Sequence, residues 1–201
     1  MNRDVSKRLF WYRVKLIALV VVFISPFVGG WLALYVFEWR PSPGNYGELI
    51  QPVRKLDWPA LETLDGHRLE SGFGRKWTLL LFAADSCAAQ CRNNLFYMRQ
   101  IRTLLGRDTR RLQNVLVSGQ PVSAELREFL QDYPSLVVIE NNRDPVFYRQ
   151  FQLPDQDAVG SSARMYLVDP DHNLMMHYPA ENDEKRVLED LKKLMKLSRI
   201  G

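Results

Sequence analysis

The sequence predicts an α/β protein: a domain with an open sheet flanked by helices, behind one N-terminal transmembrane helix. Three observations lead to this class. Residues 16–37 form an unbroken run of 22 uncharged residues. After residue 58, short strand-like apolar runs alternate with segments whose apolar residues recur at helical spacing. The only two cysteines, Cys87 and Cys91, follow the first long strand-like run, where a helix is expected to begin.

The uncharged run is long enough to cross a bilayer as a helix. At about 1.5 Å per residue it spans about 33 Å, and the hydrocarbon core of a bilayer is about 30 Å thick. A cleaved signal peptide would have a shorter apolar core and a small-residue cleavage site, whereas this run ends in bulky residues. We therefore expect an uncleaved anchor. Aromatic residues of the kind found at membrane interfaces flank it: Trp11, Tyr12, Tyr35 and Trp39.

The distribution of charge predicts the orientation of this anchor. Residues 1–15 contain five basic and one acidic side chain, so their net charge of +4 equals that of the whole chain. Because positive flanks stay in the cytoplasm, the N-terminus is expected to be cytoplasmic. The C-terminal domain would then be periplasmic, held by a single pass through the inner (plasma) membrane. The outer part has no net charge, which argues against a nucleic-acid partner.

We divide the chain into four parts: a cytoplasmic N-terminus at 1–15, the transmembrane helix at 16–37, a linker at 38–57 and a domain at 58–201. The linker assignment depends on three prolines, Pro41, Pro43 and Pro52, which are typical of an extended spacer. The 144 residues that remain are enough for one ordinary domain with its own core.

The expected order of elements in the domain is β-β-β-α-β-α-β-α-β-β-α. Asp65-Gly66 predicts the turn of a first hairpin, the turn-rich segment 169–173 predicts that of the last, and Ser123 is expected to cap a helix. This order places the cysteines at the carboxyl end of the first long strand, where sites form in open α/β sheets. The expected strands are 61–64, 67–69, 77–83, 113–118, 135–139, 165–168 and 174–178, and the expected helices are 91–105, 123–130, 144–151 and 183–199.

The spacing of Cys87 and Cys91 favours chemistry at the two sulfurs. Residues four apart at the start of a helix share one face, at a Cα separation of about 6 Å that a disulfide can bridge. The positive end of the helix dipole favours thiolate, the form that attacks disulfides and binds Cu(I). A bond that encloses only three residues would constrain the unfolded chain little, which argues against a structural role. We therefore expect a reversible disulfide near the surface.

The domain resembles the Sco family of cytochrome c oxidase assembly proteins, whose thioredoxin-like fold has a central mixed sheet flanked by helices. The resemblance lies in the single anchor, the Asp65-Gly66 hairpin, the strand followed by C-x-x-x-C, and the closing hairpin with its terminal helix. It implies delivery of copper, or of reducing equivalents, to the dinuclear copper site of oxidase subunit II. The partners it implies are the lipid bilayer and a cytochrome c oxidase subunit or other assembly factors.

The sequence departs from the family pattern at the copper site. Ala88 and Arg92 replace the prolines that follow the two family cysteines. The resemblance places the family's histidine ligand at Ser161, so that ligand is missing. Residues 118–121 replace an acidic segment, and the cis-proline of dithiol oxidoreductases is absent before Met165. The two thiols are therefore retained, whereas the complete copper site is not.

Of the three histidines, His177 is the best placed to substitute for the missing ligand. His67 lies beside a turn, and the strand before His172 carries it about 16 Å from residues 160–162. In the simplest hairpin register His177 lies opposite Met165, so both could join the two cysteines as Cu(I) ligands. The alternative is a half-buried strand histidine beside a core methionine, which we favour because the register is uncertain.

These features lead to one functional hypothesis and two alternatives. The hypothesis is a membrane-anchored Sco-like protein that assists cytochrome c oxidase assembly by dithiol–disulfide exchange or Cu(I) handling at Cys87 and Cys91. The first alternative is a degenerate Sco-like scaffold that binds oxidase subunits or another assembly factor and keeps only a structural disulfide. The second is a general periplasmic dithiol oxidoreductase, which the missing cis-proline disfavours. Measuring the copper bound by the reduced protein would separate them.

Overall fold

The computed structural model describes residues 3–36, 44–69, 72–83, 87–140, 144–154 and 156–198. The chain forms two compact units, Met1–Gly44 and Asn45–Gly201. The first contains the helix α1 (Arg3–Tyr35), whose segment Phe10–Leu32 is long and apolar enough to cross a membrane, with a mean hydropathy of 2.1. The helix also includes the polar residues ahead of the apolar run, so it begins well before residue 16. Residue 37, the last of the predicted span, lies outside the described residues.

The second unit is built on a mixed six-stranded sheet. Its strands are β1 (Glu48–Lys55), β4 (Trp77–Ala83), β5 (Leu112–Ser118), β6 (Leu136–Ile139), β7 (Met165–Val168) and β8 (Asn173–Tyr178), and a separate hairpin is formed by β2 (Leu61–Glu62) and β3 (Arg68–Leu69). The strand order in the sheet is β1-β8-β7-β4-β5-β6. β4, β5 and β6 are parallel, whereas the β4–β7, β7–β8 and β8–β1 pairs are antiparallel.

Helices cover both faces of this sheet, which explains why all seven residues of β4 are buried. The helices are α2 (Ala89–Leu104), α3 (Ala124–Leu130), α4 (Pro145–Phe151) and α5 (Glu184–Leu197), with a 3-10 segment at Gly106–Arg111. Leu79 and Leu81 of β4 pack with α2, α3 and α5, and Leu80 and Phe82 pack with α4 on the other face. The predicted α/β arrangement of a central mixed sheet flanked by helices is confirmed.

The predicted turn and cap signals also lie where the sequence places them. The β2–β3 hairpin turns at Asp65-Gly66, where Gly66 has a φ of +77° that favours glycine. The Ser123 hydroxyl accepts a hydrogen bond from the Leu126 N–H at 3.2 Å, as expected of a helix N-cap. These local signals therefore determine where the elements of this domain begin and turn.

The predicted linker at 38–57 is wrong in its second half, because β1 pairs there with β8 as an edge strand of the sheet. Pro52 is tolerated because an edge strand leaves one row of N–H groups unpaired. The chain just before β1 is held by Asp190 of α5, whose carboxylate accepts hydrogen bonds from the N–H groups of Tyr46 and Gly47 at 2.8 to 3.0 Å. Residues 38–43 of the predicted linker lie outside the described residues.

Candidate functional site

Cys87 and Cys91 form a disulfide directly after the carboxyl end of β4, with a Cα–Cα distance of 5.2 Å. The expectation that both cysteines lie on one helical face is corrected in part. The N-cap of α2 is Ala88, so Cys87 precedes the helix and Cys91 lies in its first turn. Alanine has no side-chain acceptor, so the N-cap residue itself does not cap the first N–H groups of α2.

The disulfide is buried, contrary to the expectation of a bond near the surface. Each cysteine is only 4% exposed, and both belong to the hydrophobic cluster between the sheet and α2, α3 and α5. Both cysteines share this cluster with Leu95 and Met98 of α2. Access to the bond therefore depends on local openings in the surface.

Arg92 holds the segment around the disulfide against α3. Its Nε donates a hydrogen bond to the Cys87 carbonyl oxygen at 3.0 Å, and its Nη2 lies 2.7 Å from the Glu125 carboxylate. The guanidinium carbon also lies 5.3 Å from the centre of the Phe129 ring. The residue that replaces a family proline thus fixes the main chain at Cys87 and places a positive charge beside it.

A cavity of about 140 Å³ lies against Cys91. The residues that line it are Phe82, Ala88, Gln90, Cys91, Gly160, Ser161, Ser162 and Ala163. Ser161 therefore lies beside the cysteine pair, which is where the resemblance places the family's histidine. Its hydroxyl donates a hydrogen bond to the Ala158 carbonyl oxygen at 2.7 Å, within its own loop.

Asn94 is a residue of this site that the sequence reasoning missed. It is fully buried, and its Nδ2 donates to the carbonyl oxygens of Ala163 at 2.7 Å and Ala180 at 3.0 Å. Its Oδ1 accepts hydrogen bonds from the side-chain amides of Gln90 at 3.2 Å and Asn182 at 2.9 Å. The network joins the first turns of α2 to the loop that forms the cavity wall. A polar residue on the face that also carries Cys91 and Leu95 is the signal that could have revealed it.

The structure does not bring His177 to the cysteines. His177 pairs with Tyr166, and Met165 pairs with Tyr178, so His177 and Met165 point to opposite faces of the sheet. Met165 is fully buried in the same hydrophobic cluster as the cysteines. The His177 Nε2 lies 3.3 Å from a Glu48 carboxylate oxygen on the edge strand. Burial lowers the pKa of His177, and the nearby Glu48 carboxylate opposes that shift.

The other two histidines lie away from the cysteines, as expected. His172 lies in the turn between β7 and β8, at the opposite end of the sheet, and its Nε2 is 3.3 Å from the Gly74 carbonyl oxygen. His67 lies in the β2–β3 hairpin. Within the described ranges, no group of three or more histidine, cysteine, aspartate or glutamate side chains could hold a metal ion.

The donors present at the site fit Cu(I) better than Cu(II). Reduction of the Cys87–Cys91 bond would give two thiolates, and Cu(I) accepts soft sulfur ligands. Cu(II) prefers nitrogen and oxygen donors, and the structure places the candidate imidazole of His177 on the other face of the sheet. The site is therefore a cysteine pair without the histidine that a complete Sco copper site would have.

Solved structures of Sco proteins have this fold. The apo Sco1 protein from Thermus thermophilus matches with a TM-score of 0.60 at 23% identity, covering 78% of this chain and 100% of that chain. Copper-bound ScoI from Arabidopsis thaliana matches at 0.56 and 19% identity, covering 76% and 99%. BsSco, a Sco-family cytochrome c oxidase assembly protein with a disulfide switch, matches at 0.51 and 17% identity, covering 79% and 99%. These matches show that the domain has the fold of Sco proteins.

The amino-acid sequence gives an independent assignment. No curated protein matches it significantly. A family model described as "Transmembrane-like, thioredoxin-like, C-terminal domain" matches residues 77–198, which is more than half of the chain. The matched segment begins at β4 and includes both cysteines, the loop that forms the cavity wall, and α5. The chain therefore belongs to this family of transmembrane-like, thioredoxin-like C-terminal domains.

Proposed function

We propose that the protein assists cytochrome c oxidase assembly as a membrane-anchored Sco-like protein, through dithiol–disulfide exchange at Cys87 and Cys91. The observation that supports exchange is the disulfide at the carboxyl end of β4, with a cavity that Cys91 helps to line. The fold shared with BsSco, itself a cytochrome c oxidase assembly protein, supports the link to the oxidase. The partner would be an oxidase subunit or another assembly factor with two cysteines.

The proposed reaction transfers two electrons between that partner and the cysteine pair. A thiolate of the partner attacks one sulfur of the Cys87–Cys91 bond, forms a mixed disulfide and releases the other cysteine as a thiolate. The second thiol of the partner, deprotonated, then attacks the partner's own sulfur in the mixed disulfide and releases the remaining cysteine. The partner leaves with a disulfide and the protein with two thiols. In the reverse direction the protein delivers reducing equivalents to an oxidised partner.

Alkylation trapping across a redox titration of the folded protein tests this function. We expect the bond to pass reversibly between oxidised and reduced forms, with both present at intermediate potentials, because its three-residue loop contributes little to stability. Circular dichroism at each potential should show an unchanged fold. The Cys87→Ser/Cys91→Ser double variant is the control for background labelling. A bond that is reduced only when the protein unfolds would contradict the proposal.

The burial of the pair favours one alternative, a Sco-like scaffold whose disulfide is structural. Both cysteines are 4% exposed, and buried disulfides resist exchange because the attacking thiolate must reach a sulfur. Such a scaffold would bind an oxidase subunit or assembly factor without chemistry at Cys87 and Cys91. The same titration separates the two functions, because a structural disulfide would stay oxidised for as long as the protein is folded.

We further propose that α1 anchors the protein in the inner membrane with residues 1–15 in the cytoplasm and the domain in the periplasm. The positive charge of residues 1–15 and the apolar segment Phe10–Leu32 support this orientation. Alkaline phosphatase fused after Gly201 should be active, because it needs the periplasm to form its disulfides. A fluorescent protein that matures only in the cytoplasm should be dark at the same position. The reverse pattern would contradict the orientation.

A further inference from the structure

We propose that the end of the domain opposite the disulfide docks on the headgroups of anionic phospholipids through four exposed basic side chains. This basic patch consists of Arg107 and Arg110 in the 3-10 segment and Lys192 and Lys196 in α5. The inference rests on the proposed membrane anchor and adds a lipid-binding surface to it. Its ligand is the phosphate of an anionic lipid at the surface of a bilayer.

The patch is part of an asymmetric distribution of charge over the domain. Residues 45–201 contain as many acidic as basic side chains. Residues 102–111 and 192–198, however, together contain seven basic side chains and a single acidic one, Asp108, which pairs with Arg111 at 3.1 Å. The remainder of the domain is therefore negative by the same amount as these two segments are positive.

The end of the domain that carries the disulfide is acidic. Both α3 and α5 begin at this end of the sheet, because they follow β5 and β8, whose carboxyl ends lie beside that of β4. Their first turns contain Glu125 and Glu184. An anionic surface would attract the basic end of the domain and repel the acidic end, so it would bind the domain in one orientation.

Two elements bring the four basic side chains together. Residues three apart in a 3-10 helix eclipse each other, so the two arginines of the patch share one face, and the two lysines are neighbours because they are four apart in α5. Arg111 joins these elements. Its guanidinium donates hydrogen bonds to the carbonyl oxygens of Met195 at 2.9 Å and Ser198 at 2.8 Å.

The basic patch has the composition of a surface that binds a bilayer. None of its four side chains has an ion-pair partner in the part of the chain that the structure describes. Like charges at helical spacing repel each other, so this arrangement costs stability unless an anion neutralises it. Two exposed apolar side chains, Leu104 and Leu197, lie at the same end of the domain, 52% and 75% exposed. Basic and exposed apolar side chains together match anionic headgroups above acyl chains.

The proposed anchor makes a weak attraction sufficient for docking. A domain tethered to the bilayer meets the headgroups at a high effective concentration, so little further affinity is needed. Each basic residue near an anionic surface strengthens binding about fivefold, and four of them strengthen it roughly several hundredfold. The patch therefore provides enough attraction to keep a tethered domain on the surface.

Docking through this patch would direct the disulfide away from the bilayer. Cys91 lies in the first turn of α2, and the 3-10 segment follows the last turn. The 16 residues of α2 span about 24 Å between these two ends. The lipid-bound domain would thus present the cysteine pair to a partner on the side that faces away from the headgroups.

Lysine labelling of the full chain in nanodiscs tests this surface. The discs contain phosphatidylcholine alone or a two-to-one mixture of phosphatidylcholine and phosphatidylglycerol, and the reagent is an uncharged N-hydroxysuccinimide ester. Mass spectrometry gives the labelling rate of each lysine. We expect Lys192 and Lys196 to react about threefold or more slowly in the anionic discs, because lipid phosphates would shield their amines. Lys185, exposed in the first turn of α5, should react equally in both kinds of disc.

Two charge-reversal variants leave these reporter lysines in place. Arg107→Glu/Arg110→Glu should restore the labelling rate seen in neutral discs. Arg68→Glu/Arg149→Glu is the matched control, because it changes the net charge equally at two exposed arginines outside the patch, and it should keep the slow rate. Salt at about 1 M, where the Debye length is about 3 Å, should also restore the rate. Circular dichroism should be the same for both variants.

Each other outcome would overturn the inference. Equal labelling in the two kinds of disc would leave an acidic protein, and not a lipid, as the ligand of the patch. Slow labelling that persists in Arg107→Glu/Arg110→Glu or at high salt would show that the contact is not electrostatic. The yield of protein in purified discs measures insertion separately. A chain that does not enter the discs contradicts the anchor as well, whereas an inserted chain without slow labelling contradicts the patch alone, and the redox titration is independent of both.

Discussion

Replacing Asp190 by alanine is expected to lower the free energy of unfolding by about 3 kcal/mol. The Asp190 carboxylate, only 5% exposed, accepts hydrogen bonds from the N–H groups of Tyr46 and Gly47 at 2.8 to 3.0 Å. Alanine would leave both donors without this acceptor, and an unsatisfied buried donor costs about 1–3 kcal/mol. Denaturant unfolding of the full chain in detergent micelles, followed by circular dichroism, measures the loss.

The neighbouring Glu189 gives the matched control. It is exposed on the same helix, so Glu189→Ala should change the unfolding free energy by no more than about 0.5 kcal/mol. Hydrogen exchange adds a local measurement, because the amides of Tyr46 and Gly47 should lose protection in Asp190→Ala while those of β4 keep it under native conditions. A loss of less than 1 kcal/mol, or unchanged protection at these two amides, would show that Asp190 does not hold the start of β1.

The contact at Asp190 illustrates what the sequence could not predict. Asp190 is 144 residues from Tyr46 along the chain, and neither residue lies in a recognisable motif. The prolines near β1 indicate a linker when they are considered locally, and only the pairing of β1 with β8 makes this segment a strand. The chain before β1 packs closely against β8, since a Cβ added to Gly47 would lie 2.6 Å from Cε1 of Tyr178. Tertiary contacts of this kind override local propensity.

The elements around the cysteines could be predicted because their signals are local. A largely apolar strand, a turn and a helix with periodic apolar residues are enough to place Cys87 and Cys91 at the carboxyl end of β4. The proposed position of His177 failed for a specific reason. The register between β7 and β8 shifts at Leu167 and Val168, so Met175 has no partner across the hairpin. One extra residue in a strand moves every following side chain to the other face.

The largest effect that we expect on metal binding comes from replacing the two cysteines. The reduced protein should bind Cu(I), and replacing both Cys87 and Cys91 by serine should abolish that binding. Two thiolates provide soft ligands that suit Cu(I), and serine hydroxyls do not. His177→Ala should leave Cu(I) affinity unchanged, because His177 points away from the cysteines and pairs with Tyr166.

Competition with a chromophoric Cu(I) chelator under anaerobic conditions measures these affinities. Cu(II) should bind weakly or not at all, since the described residues provide no imidazole on the face of the sheet that carries the sulfurs. His67→Ala is a control for the loss of a histidine far from the cysteines, because His67 lies in the β2–β3 hairpin. It should leave Cu(I) affinity unchanged. A tenfold loss of Cu(I) affinity in His177→Ala would show that the hairpin register differs in the reduced protein. Tight Cu(II) binding with a thiolate charge-transfer band would show that a complete ligand set exists, and the loss of the family histidine at Ser161 would then have been compensated by another residue.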